Sequence, residues 1–175
     1  AASIFMMLAA LPFVRYVQMV NGHSTPLFRD SQVRAFIGTI CVLVVVTTLV
    51  LTSIFPHHWE QALREALFNI TSIITGTGYA SVDYMAWGGF LITLFFFIGL
   101  IGGCAGSTAC SVKIFRYQIL LSSIRAQMRR IRTPSGVFSP RFEGRAVGPD
   151  VMSSVISFFV FFVVSLGIFS WGLAM

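Results

Sequence analysis

Long uncharged runs alternate with short basic stretches along this chain, and the lengths of the runs separate the segments. Residues 35–55 form a charge-free run of 21 residues, about 31 Å long as a helix and enough to cross a hydrocarbon core. The run is rich in Val, Leu and Thr and is stopped by Pro56. Residues 151–175 make a second uncharged run of spanning length. Between them, residues 84–112 hold 29 positions without a charge but are not uniform. Residues 84–101 read as helix, crowded with Phe95, Phe96 and Phe97, whereas residues 102–111 replace bulk with small and polar side chains. Residues 60–74 carry helical periodicity, with Leu63, Leu67 and Ile70 at helical spacing, and are too short to cross. The opening apolar run, residues 1–14, is also too short, and it ends at Arg15 with Tyr16 beside it as an interfacial aromatic. It reads as a helix entered midway. With the uncharged end at Met175, it leads to the expectation that the chain is a piece of a longer protein.

A short helix between two spans is most simply re-entrant, tolerated when it is buried in protein and its returning extended backbone lines a watery path. Here it runs into Thr75-Gly76-Thr77-Gly78-Tyr79-Ala80-Ser81. Glycine lets the backbone put successive carbonyls on one side, and rings of such carbonyls replace an ion's hydration shell. Residues 75–81 are therefore expected to be one wall of a potassium filter, with the ion held by the backbone carbonyls of Thr75, Gly76, Thr77, Gly78 and Tyr79. One such repeat makes no ring. The chain would assemble with copies of itself or belong to a longer chain with several repeats, and its partial helix before and extra span after favour the second. Downstream lies Gly102-Gly103-Cys104-Ala105-Gly106-Ser107-Thr108-Ala109-Cys110-Ser111. Small residues also let helices pack closely. Ten in a row exceed what a helix contact needs, however, and three glycines weaken helix continuity. The expectation is a broken helix with an irregular loop at membrane depth.

The fold class that follows is an all-α membrane protein: transmembrane helices with a re-entrant pore helix and filter loop, one repeat plus flanking helices. Residues 1–20 end a preceding repeat, and 21–34 are a cytoplasmic loop containing the turn formers Asn21 to Pro26. Residues 35–132 are the repeat itself: outer helix 35–56, pore helix 60–74, filter 75–81, inner helix 84–101, small-residue loop 102–111 and inner-helix continuation 112–132. Residues 133–149 are a cytoplasmic linker, and 150–175 begin the next repeat.

Composition agrees with this class. The chain is 56% hydrophobic and 10% charged, with mean hydropathy +0.84, where a soluble domain has about 25% charged residues. The net charge of +6 lies in the short loops between apolar runs, and the opening run does not read as a secretory signal with a charged n-region and a cleavage site. Of 12 basic residues, 11 fall on one side of the expected spans, while Arg64 shares the other with Glu60, Glu65 and Asp83. The positive-inside rule puts the basic loops in the cytoplasm. The filter mouth then faces outward, with three carboxylates against one arginine. The cluster Lys113, Arg116, Arg125, Arg129, Arg130 and Arg132 reads as a topology signal and contact with the headgroups of the lipid bilayer, with no nucleic acid as partner. Cys41, Cys104 and Cys110 are odd in number and lack ligand spacing, so they are packing residues. In His57-His58-Trp59-Glu60, neighbouring side chains diverge on a helix; the stretch reads as a wet interface anchored by Trp59 rather than a metal site. The residues before Lys113 do not match a phosphate-binding loop. The chain holds no nucleophile–base pair and no paired intramembrane carboxylates, so no catalytic residue, enzymatic activity or cofactor is expected.

These residues resemble a known family. The stretch from Phe68 to Ser81, with its Thr75-Gly76-Thr77-Gly78-Tyr79 core, is similar to a filter segment of the Trk/Ktr/HKT potassium transporters. Gly102 to Thr108, followed by Lys113 and Arg116, resembles the loop that interrupts the inner helix of their third repeat. Leu11-Pro12-Phe13-Val14-Arg15-Tyr16 and Asp30-Ser31-Gln32-Val33-Arg34 are similar to the bacterial TrkH type of membrane subunit. The resemblance covers nearly the whole chain. It implies four repeats around one pore, a homodimer, a cytoplasmic nucleotide-binding regulatory subunit of the TrkA type and residence in the bacterial inner membrane. K+ is then the transported ion, Gly78 stands at the signature glycine position, and Gly102 to Ser111 form an intramembrane gate below the filter. Two departures stand out. Ala109-Cys110-Ser111 occupy positions where many relatives continue with glycines, and Ala80 replaces the last glycine of the tetrameric channel string. The rival reading is a non-transporting integral-membrane subunit whose glycine stretches only pack helices; the short re-entrant segment, uncharged from Ala66 onward and ending in Thr-Gly-Thr-Gly-Tyr, argues against it.

Overall fold

The computed structural model describes residues 1–22, 27, 29–55, 58–133 and 140–175. The expected turn at His23, Ser24, Thr25 and Pro26, the stop at Pro56, His57 of the histidine pair and residues 134–139 of the linker lie outside the described residues. In chain order the elements are α1 (Ala2–Ala9), α2 (Phe13–Val20), α3 (Ser31–Ile54), α4 (Trp59–Thr75), a 3-10 turn (Tyr84–Trp87), α5 (Gly89–Leu100) and α6 (Ile114–Arg132). A hairpin of β1 (Arg141–Phe142) and β2 (Arg145–Ala146) and then α7 (Pro149–Leu173) complete it. Helices α3 and α7, of 24 and 25 residues, are long and apolar enough to cross a membrane. The protein is an all-α membrane protein apart from that hairpin. Its contacts gather into two units, Ala1–Phe115 and Arg116–Met175.

In the first unit, the start of α3 is set by its cap rather than by hydropathy. Asp30 Oδ1 accepts from the Gln32 amide at 2.9 Å, satisfying a free N–H and placing a negative charge at the positive end of the helix. The helix therefore begins four residues before the charge-free run. Its inward stripe, Val33, Phe36, Ile40, Val44, Thr47 and Leu51, advances by threes and fours and packs against α4. At the far end Phe55 is extended (φ −117°, ψ 143°), as the residue before a proline must be.

Helix α4 packs against α1, α3 and α5. Its buried residues are Ala62, Ala66, Asn69, Ile70, Thr71, Ser72, Ile74 and Thr75. Of the three apolar positions at helical spacing, Ile70 is fully buried and Leu63 is 38% exposed, while Leu67 is half-buried. Alanine at two successive turns lets neighbouring helices come close, and most of the C-terminal half is buried.

Two expected helices are broken. Residues 1–20 divide at Pro12 into α1 and α2, bent by 96°, because proline has no N–H for the preceding turn and its ring excludes that turn's carbonyl. Residues 84–101 divide at Gly88 (φ +99°), leaving α5 only 12 residues long.

In the second unit, Glu143 and Gly144 both take positive φ, as a two-residue hairpin loop favours. The hairpin is tied to α6 through Ser122, whose Oγ donates to the Arg141 carbonyl at 2.9 Å and accepts the Arg141 amide at 3.1 Å. Tyr117 meets Phe159 of α7 edge-on at 5.2 Å. This hairpin lies within the stretch that the sequence presented as a loop.

Candidate functional site

Helix α4 ends at Thr75 because Gly76 turns left-handed, at φ +73°. The amide of Gly76 bonds the Ile73 carbonyl at 3.1 Å and that of Thr77 reaches back to Ser72 at 2.9 Å, the paired bonds of a Schellman ending. The chain then leaves the helix, and Gly78 takes φ +79°. Thr75 is buried; Gly76, Thr77, Gly78 and Tyr79 are exposed. Among the described residues, no backbone N–H bonds the carbonyl oxygens of Gly76, Thr77, Gly78 or Tyr79. These oxygens follow directly on the C-terminal end of α4, where the helix dipole concentrates about half a negative charge. The arrangement suits a cation.

Side chains brace the turn. Thr75 Oγ1 bonds the Thr71 carbonyl at 2.8 Å and lies 2.7 Å from Thr77 Oγ1. Asn69, fully buried in mid-helix, clamps the returning strand: its Oδ1 accepts the Ser81 amide at 3.0 Å and its Nδ2 donates to Ser81 Oγ at 3.1 Å. Sequence reasoning passed over this residue. A buried asparagine in mid-helix was the available signal, since such a group is retained only when its bonds are met. Asn69→Ala is expected to raise amide exchange at Ser81 by about tenfold, the loss of a buried bond of roughly 1–2 kcal/mol. Asn69→Asp, which keeps the acceptor, is expected to fall between; hydrogen exchange on the full-length protein reads both.

The 102–111 segment is the second feature, and it is not helical. Its ends are joined at the base: Ile101 and Val112 form a parallel bridge, and Gly102 N bonds Val112 O at 2.8 Å. A Cβ on Gly102 would fall on the Cys110 carbonyl oxygen, so that position needs glycine for close approach. Ser111 takes φ +61° and its Oγ donates to the Gly99 carbonyl at 2.6 Å. Ser107 Oγ donates to the Cys104 carbonyl at 2.6 Å. Lys113 Nζ donates to the carbonyls of Ser107 and Ala109. Cys104 and Ala109 are buried, Ala105 is half-buried, and Gly106, Thr108 and Cys110 are exposed.

The two features meet. A Cβ at Gly76 would lie 2.9 Å from Cys110 Cβ and 3.2 Å from its Sγ, so the loop rests against the turn at the head of the 75–79 segment. The loop also docks on the break between α1 and α2. The Cys104 amide bonds the Ala10 carbonyl at 3.0 Å, and the Phe13 amide bonds the Gly106 carbonyl at 3.0 Å. Thr108 Oγ1 donates to the Ala9 carbonyl at 3.0 Å. The groups freed by Pro12 at the helix break are thus met by the groups of a segment that has no helix of its own.

Toward the N-terminal half of α4, a cavity of about 650 Å³ lies beside Glu60, Arg64, Glu65 and Ser81. Arg64 pairs with Glu60 at 2.8 Å, and Glu65 accepts from Gln61 at 2.9 Å. No group of three or more His, Cys, Asp or Glu residues gathers in metal-binding geometry among the described residues.

Comparison with known proteins agrees in extent with this geometry. The sequence model of the TrkH family, described as cation transport protein, matches residues 4–174. The chain is 35% identical over 173 residues to the Trk system potassium uptake protein TrkI of Halomonas elongata, covering 99% of the chain and 35% of that protein. It is 31% identical to the Trk system potassium uptake protein TrkH of Escherichia coli K12, over 97% of the chain and 37% of that protein. The crystal structure of the potassium transporter TrkH from Vibrio parahaemolyticus matches with a TM-score of 0.85 at 29% identity, over 96% of the chain and 38% of that one. The chain spans a little over a third of the length of these relatives. With a turn at the end of a buried helix, a non-helical loop closing on it and a family match from residue 4 to residue 174, the chain belongs to the TrkH family of cation transport proteins.

Proposed function

We propose that this chain is one pore-loop repeat of a Trk-type potassium uptake subunit. In this reading the carbonyls of Thr75, Gly76, Thr77, Gly78 and Tyr79 form one wall of a selectivity ring, and residues 102–111 form the gate beneath it. The observation that carries the reading is the meeting of the two: a turn at the C-terminal end of α4 whose carbonyls accept no backbone N–H among the described residues, touched at Gly76 by Cys110 of a non-helical loop. The names of the matched relatives supply the ion, K+. Permeation is inward and driven by the membrane potential, worth about 2.3 kcal/mol per charge per 100 mV.

The remaining walls come from further repeats of the full-length chain. It works in the lipid bilayer of the bacterial inner membrane as a homodimer, under a cytoplasmic nucleotide-binding subunit of the TrkA type. The basic loops face the cytoplasm and the filter mouth faces outward, where Glu65 and Asp83 supply negative charge left over once Arg64 pairs with Glu60. Against the rival packing-only reading stands the backbone of residues 102–111. Small residues that serve helix contact belong on helices, and these are on none. The full-length gene is expected to restore growth of a potassium-uptake-deficient bacterium at K+ concentrations that do not support the empty host. Failure to restore growth, with the protein present in the membrane, overturns the proposal.

A further inference from the structure

We propose that Gln32 is the latch that holds the 102–111 loop in its docked position, acting as a positioning residue through the Ala105 amide. Gln32 Oε1 accepts the Ala105 N–H at 2.9 Å, across 73 positions of sequence. Gln32 itself is fixed from behind. Its amide is held by Asp30 Oδ1 at 2.9 Å, and Asp30 Oδ2 pairs with Arg15 Nε of α2 at 2.8 Å. Asp30 is only 4% exposed, so the carboxylate is secured by its two partners rather than by water. Arg15, Asp30, Gln32 and Ala105 thus form one chain of bonds from α2, through the first turn of α3, into the loop.

Helix α2 also reaches the loop directly, through Phe13 N to Gly106 O at 3.0 Å. A movement of α2 therefore strains the direct tether and the relay together. The chemistry of the amide fits the task. The Ala105 N–H has no helix to satisfy it, and an acceptor presented by a neighbouring span removes the cost of leaving it unpaired. The role of the latch in closing the path rests on the reading of this loop as the gate; the docking of the loop by Gln32 does not.

The test uses the full-length protein with Cys104 as its sole cysteine, because Cys104 is buried in the docked loop and its labelling by a maleimide reports undocking. Gln32→Leu, which lacks the acceptor, is expected to raise the labelling rate about fivefold, the loss of one such bond. Gln32→Met, closer to glutamine in length, serves where leucine lowers the amount of protein in the membrane. Gln32→Glu keeps an acceptor and is expected to label as the parent does. Equal labelling in parent and Gln32→Leu overturns the latch, and so does a rise as large in Gln32→Glu. Faster labelling in Gln32→Leu with unchanged K+ uptake upholds the latch and instead overturns the reading of the loop as the gate.

Discussion

Valine in place of Gly78 is expected to abolish discrimination of K+ over Na+ in the full-length protein while leaving it folded in the membrane. The reason is conformational. Gly78 sits at φ +79°, and nothing lies within 4 Å of where its Cβ would be. A side chain therefore fits in space but not on the backbone. A β-branched residue in this region is an outlier costing about 1–3 kcal/mol, relieved when the adjoining peptides rotate and turn their carbonyls away from the direction the proposed ring requires. Selectivity in a carbonyl ring depends on the number and field of those oxygens. Since about 1.4 kcal/mol is a factor of ten, the strain is on the scale of the discrimination itself. The ratio of Rb+ to Na+ uptake in membrane vesicles reads the result, and an unchanged ratio would sink the assignment of the turn. Gly76 would be a poorer choice, because a Cβ there meets Cys110 at 2.9 Å and disturbs the loop as well.

How much of this was legible in the sequence differs from segment to segment. The 35–55 run and the 151–175 run announced spanning helices because length and absence of charge are read directly, and α3 and α7 follow them. Thr75-Gly76-Thr77-Gly78-Tyr79 announced a turn because glycine after a helical pattern is a stop signal, and Gly76 is that stop. The run of small residues at 102–111 announced irregular backbone, and it is irregular. What periodicity could not give is which residues face inward when the partner is another helix rather than water. On α4 the inner face takes Ala62, Ala66 and Asn69 along with Ile70, and of the periodic apolar positions only Ile70 is fully buried; at membrane depth an apolar side chain suits either direction, so hydrophobicity does not choose. The Pro12 break was visible as a proline and was passed over inside an apolar run. The bonds that give the break its purpose, from Ala9, Ala10 and Phe13 to the loop, join positions more than 90 apart, which no local pattern encodes. Gln32 is hidden for the same reason.

Shortening the loop is expected to have the opposite effect to filling the turn: removing residues 104–108, so that Gly103 is joined to Ala109, should raise K+ flux by about tenfold and leave the ion ratio unchanged. The geometry permits the cut. A Cβ on Gly103 would lie 2.7 Å from Ala109 Cβ, so the two ends already stand side by side, and a local shift brings them to the 3.8 Å that one trans peptide bridges between Cα atoms. The base of the loop is left in place, because Gly102 N to Val112 O and Ile114 N to Gly103 O involve none of the deleted residues. Lost with the segment are the tethers to Ala9, Ala10, Phe13 and Gln32, the bonds that dock the loop. If the loop closes the path, their removal lifts a barrier of about 1.4 kcal/mol for each factor of ten in rate. The turn keeps its own supports in Asn69 and Thr75, so the ion ratio has no reason to change when the loop is shortened. Flux measured in vesicles without the regulatory subunit isolates the effect from regulation. A shortened protein that reaches the membrane and conducts as the parent does would reduce residues 102–111 to packing, whereas a rise in flux with a collapsed ion ratio would mean that the loop shapes the turn through Cys110 rather than closing the path.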